Sequence, residues 1–171
     1  AIDLEKGGRR LVYSDPERGI RYLICRAADV PTFVEYGAAD LGIAGKDVIL
    51  EQGKDICELM DLGFGECKFV VAVPESKLEL YQGGLSAYLS RFGRLRVATK
   101  FPKVAESYLR SRNLPGEIIK LSGNIELAPL VGLAEVIIDL VSTGRTLREN
   151  KLVAIEQITG ATARLVANRV S

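Results

Sequence analysis

ELAPLVGLAEVIIDLVSTGRTL, residues 126–147, is the stretch that decides the fold. Val136, Ile137 and Ile138 are β-branched and consecutive, the pattern of a strand buried on both faces. Asp139 ends that run, Ser142, Thr143 and Gly144 make a small-residue turn, and Thr146 and Leu147 begin a helix. A strand that delivers a carboxylate into a glycine-centred turn at a helix start suits a phosphorylated sugar. The carboxylate accepts from ribose hydroxyls, while the turn's N–H groups and the helix N-terminus favour phosphate. Arg145 adds a cation for charge-assisted contacts. The plain alternative makes Asp139 a turn-capping acid and Arg145 a solvated loop residue.

Outward from this stretch the chain alternates strand and helix. Strands are expected near 95–98, 117–121 and 136–141. Helices are expected over 102–112, where apolar residues recur at helical spacing, and as a short helix over 125–133 and a helical turn over 145–149. Such alternation predicts a parallel sheet with helices on its faces. Before it, 9–13 and 21–25 suggest a hairpin, and Asp29 followed by Val30 and Pro31 opens a helix that Gly37 stops. Residues 40–47 form a short strand, a glycine turn and a new helix start. Gly45 and Asp47 there either serve backbone geometry and capping or line a cleft. Strands follow at 56–62 and 68–73, Pro74 and Glu75 break the pattern, and two last strands at 152–158 and 161–167 are split by Thr159 and Gly160. The fold class expected is α/β and two-lobed. Lobe I comprises 1–75 plus 151–171, lobe II comprises 76–150, and two crossovers flank an interdomain cleft, where α/β proteins place ligands.

The 171 residues carry a formal net charge of +1, which gives no reason to expect nucleic acid as a partner. No apolar run reaches the roughly 20 residues of a membrane helix, and there is no signal-peptide pattern. Cys25, Cys57 and Cys67 are widely spaced and odd in number, as expected for free thiols in a reducing cytoplasm. The histidine count is 0. This excludes Ser-His-Asp and Cys-His catalysis and imidazole metal sites. Glu126 opens the helix before the central strand, either as a first-turn acid favoured by the helix dipole or as a second site carboxylate. Glu135, just before the strand, is expected to be a solvated loop acid.

Glu126, Gly132, Ala134, Ile137, Asp139, Leu140, Thr143, Gly144, Thr146 and Leu147 together resemble the signature of the ATP phosphoribosyltransferase family, which opens histidine biosynthesis. The segments DVPTFVEYGAADLGIAGKDV, LGFGECKFVVAVP, RVATKFPKVAESYL and LSGNIELAP resemble that family's successive blocks. The resemblance implies a periplasmic-binding-protein-like, two-lobed fold. It implies transfer of the phosphoribosyl group from 5-phosphoribosyl diphosphate (PRPP) to N1 of ATP, with Mg²⁺ carried on the diphosphate rather than by the protein. Asp139, Ser142, Thr143, Gly144, Arg145, Thr146 and Leu147 would hold ribose and 5-phosphate, and Glu126 would face the ribose hydroxyls. Arg26, Gly45 and Asp47 would line the opposite, nucleotide wall. Displacement at an anomeric carbon needs carboxylates by the ring and cations on the leaving diphosphate, not a histidine base. No nucleophile is poised for a covalent intermediate, so direct displacement with inversion is expected.

The family's opening strand and its Lys-Gly-Arg type loop have no counterpart before Ala1, which leads to the expectation that the natural start is missing. The family's closing helix is likewise absent after Ser171. Residues 62–73 resemble the short form, which implies a regulatory subunit like a histidyl-tRNA synthetase and a homo- or hetero-oligomer. Two rivals share parts of the pattern. One is a two-lobed solute-binding protein. The other is a base-salvage phosphoribosyltransferase, a class that places two adjacent acids before its loop, where this chain has Ile138 and Leu140 around Asp139.

Overall fold

A computed structural model describes residues 11–170. The expected start of the first strand at Arg9 and Arg10 lies outside them. The chain runs as a hairpin of β1 (Val12–Asp15) and β2 (Ile20–Leu23), a 3₁₀ turn, α1 (Val30–Glu35), β3 (Leu41–Gly45), α2 (Lys46–Gln52), β4 (Cys57–Asp61) and β5 (Cys67–Pro74). A 3₁₀ segment leads to α3 (Gly84–Phe92), β6 (Arg96–Thr99), α4 (Pro102–Ser111), β7 (Glu117–Lys120) and α5 (Leu127–Leu130). Then come β8 (Val136–Val141), α6 (Arg145–Glu149), β9 (Leu152–Ala161) and β10 (Ala163–Ala167).

Three sheets form: β1-β2, β3-β10-β4 and β7-β6-β8-β5-β9. In the largest, β6 is parallel to β7 and β8, whereas β5 is antiparallel to both β8 and β9. Successive residues of a strand face opposite ways. Val71, Val73, Val97, Val136 and Ile138 therefore join one core with α3 and α4, and Val70, Ala72, Ala98 and Ile137 join another with α5 and α6. Coverage of both faces explains the unbroken apolar runs of β5 and β8. In the small sheet, Gly42 lets α1 approach β3. A Cβ there would stand 2.6 Å from Val30 Cγ1 and 2.8 Å from Val34 Cγ2.

The two-lobed architecture with two crossings is present, but strand pairing sets the boundary elsewhere than 75 and 151. β5 and β9 both belong to the five-stranded sheet, so the chain crosses at 62–66 and returns at Thr162. Pro74 ends a strand rather than a lobe. A run as apolar as Phe69, Val70, Val71, Ala72 and Val73 is satisfied only in a sheet's interior, and all five are fully or nearly fully buried there. Thr159 and Gly160 likewise do not break a strand. They pair with Phe69 and Lys68, and the break falls at Thr162. α5 is also shorter than expected, with one turn ending at Leu130. Asp29 makes no side-chain cap on α1. Among the described residues no helix is long and apolar enough to cross a membrane.

The lobes meet through α2 and α4. Glu51 Oε2 accepts from the Lys103 and Val104 amides at 3.1 and 3.2 Å. In return Lys103 Nζ donates to the Gln52 carbonyl at 2.6 Å. A carboxylate thus meets the N-terminus of one helix and an ammonium the C-terminus of the other, each the sign its dipole favours. Glu51→Ala is expected to cost about 1 kcal/mol of stability, the typical loss of a helix cap, measured by chemical denaturation. An unchanged midpoint would show the contact contributes nothing.

Candidate active site

β8 carries Asp139 to the edge of the five-stranded sheet that faces the crossings. Its β-branched residues hold the strand between β6 and β5, with Val136, Ile137 and Ile138 wholly buried. Beyond Val141 the chain turns through Gly144, whose φ of 72° is left-handed and cheap only for glycine. Beneath the turn Arg148 Nη1 donates to the Thr143 carbonyl at 3.0 Å. That bond holds the turn from behind. A Cβ on Gly144 would lie 3.2 Å from the same Nη1 atom.

The turn and strand end enclose a recess of about 180 Å³ lined by residues 139–147 together with Glu126. All the residues assigned to ribose and phosphate therefore converge, as does the second carboxylate. Their parts differ in ways the sequence does not show. Leu147 has its side chain in the core at 5% exposure, so only its backbone serves the recess. Ser142 Oγ donates to the Glu66 carbonyl of the first crossing at 3.5 Å. Arg145 Nε pairs with Glu149 along its own helix at 2.7 Å. Thr143 and Thr146 are exposed.

Asp139 is half-buried, and its Oδ1 accepts from the Leu140 amide at 2.8 Å. Burial is the main influence on its acidity and raises its pKa above the usual carboxylate value. The Leu140 N–H and the charge of Lys100 oppose that rise, while the charge of Glu126 adds to it. Lys100 is a residue the sequence reading missed. Thr99 pairs with Ile138 in the parallel β6–β8 register, so the next residues, Lys100 and Asp139, lie side by side where β6 ends and β8 runs on to Val141. Arg148 was missed too. The i, i+5 spacing to Thr143 is a signal only once a turn is known to intervene.

Arg26, Gly45 and Asp47 do not line the recess. Gly45 ends β3 and Asp47 lies in the first turn of α2, with its carboxylate folded back over Gly45. A Cβ on Gly45 would be 2.2 Å from Asp47 Oδ1. Asp47 makes no cap hydrogen bond to α2. Its charge reaches the Cys67 thiol at the first crossing, which burial chiefly, and Asp47 secondarily, push above its usual pKa. Arg26 stands apart, exposed, just before the 3₁₀ turn that leads into α1. Cys25, Cys57 and Cys67 are free thiols. Glu135, expected to be a solvated acid, is instead an anchor. It receives the Arg96 amide at 2.6 Å and the Arg96 guanidinium at 2.7 Å, with only 12% of its side chain exposed.

The sequence pattern of the family ATP phosphoribosyltransferase matches residues 26–171. An ATP phosphoribosyltransferase of Moorella thermoacetica is 61% identical over 163 residues, covering 95% of this chain and 71% of that protein. One of Desulfitobacterium hafniense is 54% identical over 171 residues, covering 99% of the chain and 76% of that protein. Among solved structures, the ATP phosphoribosyl transferase (HisG:HisZ) complex from Thermotoga maritima superposes with a TM-score of 0.75 at 34% identity. The match covers 94% of this chain and 74% of that one. An ancestral amino acid-binding protein, AncCDT-1, is similar in fold alone, with a TM-score of 0.57 at 10% identity over 94% of this chain and 78% of that one. The chain belongs to the ATP phosphoribosyltransferase family of enzymes.

Proposed function

We propose that the protein transfers the 5-phosphoribosyl group of PRPP to N1 of ATP and releases diphosphate, the first step of histidine biosynthesis. The observation that carries this reading is the recess itself. Two carboxylates and a braced glycine turn meet at the C-terminal end of a central strand. Asp139 and Glu126 face the ribose hydroxyls and stabilise the positive charge that builds on the ring as diphosphate departs. Amides and hydroxyls of 142–147 hold the 5-phosphate. Arg26, Gly45 and Asp47 belong to the nucleotide wall, which the small lobe brings toward the recess when the lobes close. N1 attacks C1 directly, the bond to diphosphate breaks, and the configuration at C1 inverts.

Among the described residues no three His, Cys, Asp or Glu side chains gather into a metal cage. In this reading Mg²⁺ accompanies PRPP as part of the substrate, where it neutralises the leaving diphosphate. The likeness to the Thermotoga maritima complex supports the short form, in which a regulatory subunit resembling a histidyl-tRNA synthetase joins the catalytic chain in a hetero-oligomer.

The test is diphosphate release from PRPP with ATP and Mg²⁺, with and without such a subunit, and NMR of the anomeric proton of the product. Absence of release under both conditions overturns the reading. Release with retained configuration overturns direct displacement. Lys100→Ala is expected to raise the KM for PRPP about tenfold with a smaller change in kcat, since an exposed ammonium beside the recess contributes mainly to binding a polyanion. Steady-state kinetics checks this, and an unchanged KM removes Lys100 from the site.

A further inference from the structure

The Asp139 recess is not the only concavity among the described residues. A groove of about 360 Å³ runs between α2, α4 and β9, twice the volume of the recess. Its residues Tyr108 and Ile158 belong to the core that packs α3 and α4, whereas Val141 and Leu147 of the recess belong to the core beneath α5 and α6. The two concavities therefore open on opposite faces of one sheet. Their charged linings differ as well, although Arg145 also lines the recess. The recess holds Asp139 and Glu126, while the groove is lined by Lys46, Lys103 and Arg112 and by no carboxylate.

The three cations are held in place without being saturated. Lys46 pairs with Glu58, Lys103 donates to the Gln52 carbonyl, and Arg112 pairs with Glu156. An ammonium has three donors and a guanidinium five, so each retains N–H groups for a further acceptor. Between them Leu50, Val104 and Ile158 supply an apolar floor. A simple inorganic anion would leave that floor bare, and a neutral apolar molecule would leave the cations unmatched.

We propose that this groove is a second small-molecule site, suited to an anion carrying a flat apolar body, of the aryl carboxylate class. The carboxylate meets the cations at the rim, and the ring covers the floor and excludes water from those contacts, which strengthens them. Because Lys46 and Leu50 come from α2 while Lys103 and Val104 come from α4, the occupant touches both lobes beside the contact of Glu51 with α4.

The test uses 4-hydroxybenzoate as probe and amide NMR of the ¹⁵N-labelled protein as readout. Saturable shifts are expected at Lys46, Ser107, Ser111 and Thr159. Two rim variants follow, at residues that make no contact with the recess. Ser111→Glu brings a like charge and is expected to weaken binding about tenfold. Ser107→Trp fills the groove and abolishes the shifts while the rest of the spectrum stays native. The uncharged 4-hydroxybenzamide is expected to bind about tenfold more weakly than the acid. Shifts confined to residues 139–147, shifts scattered over the surface, equal binding of acid and amide, or shifts that survive Ser107→Trp would each overturn the proposal.

Discussion

Asp139→Asn is expected to lower kcat/KM by about 10²–10³-fold, the loss typical of removing one group preorganised for transition-state charge, and to leave the fold more stable. Asn keeps the shape, and its carbonyl oxygen still accepts from Leu140. Only the negative charge is lost. The stability gain follows from the raised pKa of Asp139. A group that binds its proton more tightly when folded costs nothing below its unfolded pKa, and that cost is complete once pH exceeds its folded pKa. Above the folded pKa the wild type bears the penalty of an ionised, half-buried carboxylate, and the Asn variant bears none. The same shift is expected to move the acid limb of the pH profile of kcat/KM upward from where an unperturbed carboxylate would put it. Steady-state kinetics and thermal unfolding at neutral pH check the pair. Near-normal turnover rejects Asp139 as a site residue, and a lowered Tm rejects the electrostatic account of its environment.

Glu135→Ala is expected to lower Tm by about 5 °C, because it leaves the Arg96 amide without an acceptor and its guanidinium, at 19% side-chain exposure, with only the Gly132 carbonyl. Burial works to raise the pKa of Glu135, but the hydrogen bonds and charge of Arg96 outweigh it and hold the pKa below its ordinary value. The sign is therefore the reverse of that for Asp139. The stabilising contribution is complete above the unfolded pKa and disappears as pH falls through the folded one. Wild type and variant should converge in Tm as the solution is acidified. A difference that persists in acid assigns the loss to packing instead. Glu135 lies outside the recess, so turnover below the melting range is expected to change little.

These two residues show where sequence was sufficient and where it was not. The place of Asp139 in the recess was legible because everything that defines it is local. A β-branched run fixes the strand, Gly144 fixes the turn, and the recess is built from consecutive residues. Glu135 was misread because its partner Arg96 is 39 positions away, joined only by strand pairing. Lys100 escaped notice for the same reason, since nothing but the β6–β8 register brings it to Asp139. The lobe boundary failed likewise. Pro74 looked like punctuation, yet the pairing of β5 with β8 and β9 is a long-range fact. Alternation of strand and helix did carry the fold class, since patterns of that kind determine layers before they determine neighbours.

The pairing of Cys67 with Ala161 brings the two crossings side by side, because each leaves the large sheet from adjacent strands. Mechanically this is a two-ply strap. Backbone hydrogen bonds across the plies resist stretch and twist, and the joint yields most readily by bending about a single line. Ser142 Oγ meets the Glu66 carbonyl of the first ply at 3.5 Å, so the turn that forms the recess touches the strap. Any bending of the strap therefore acts on the wall of the recess through this contact.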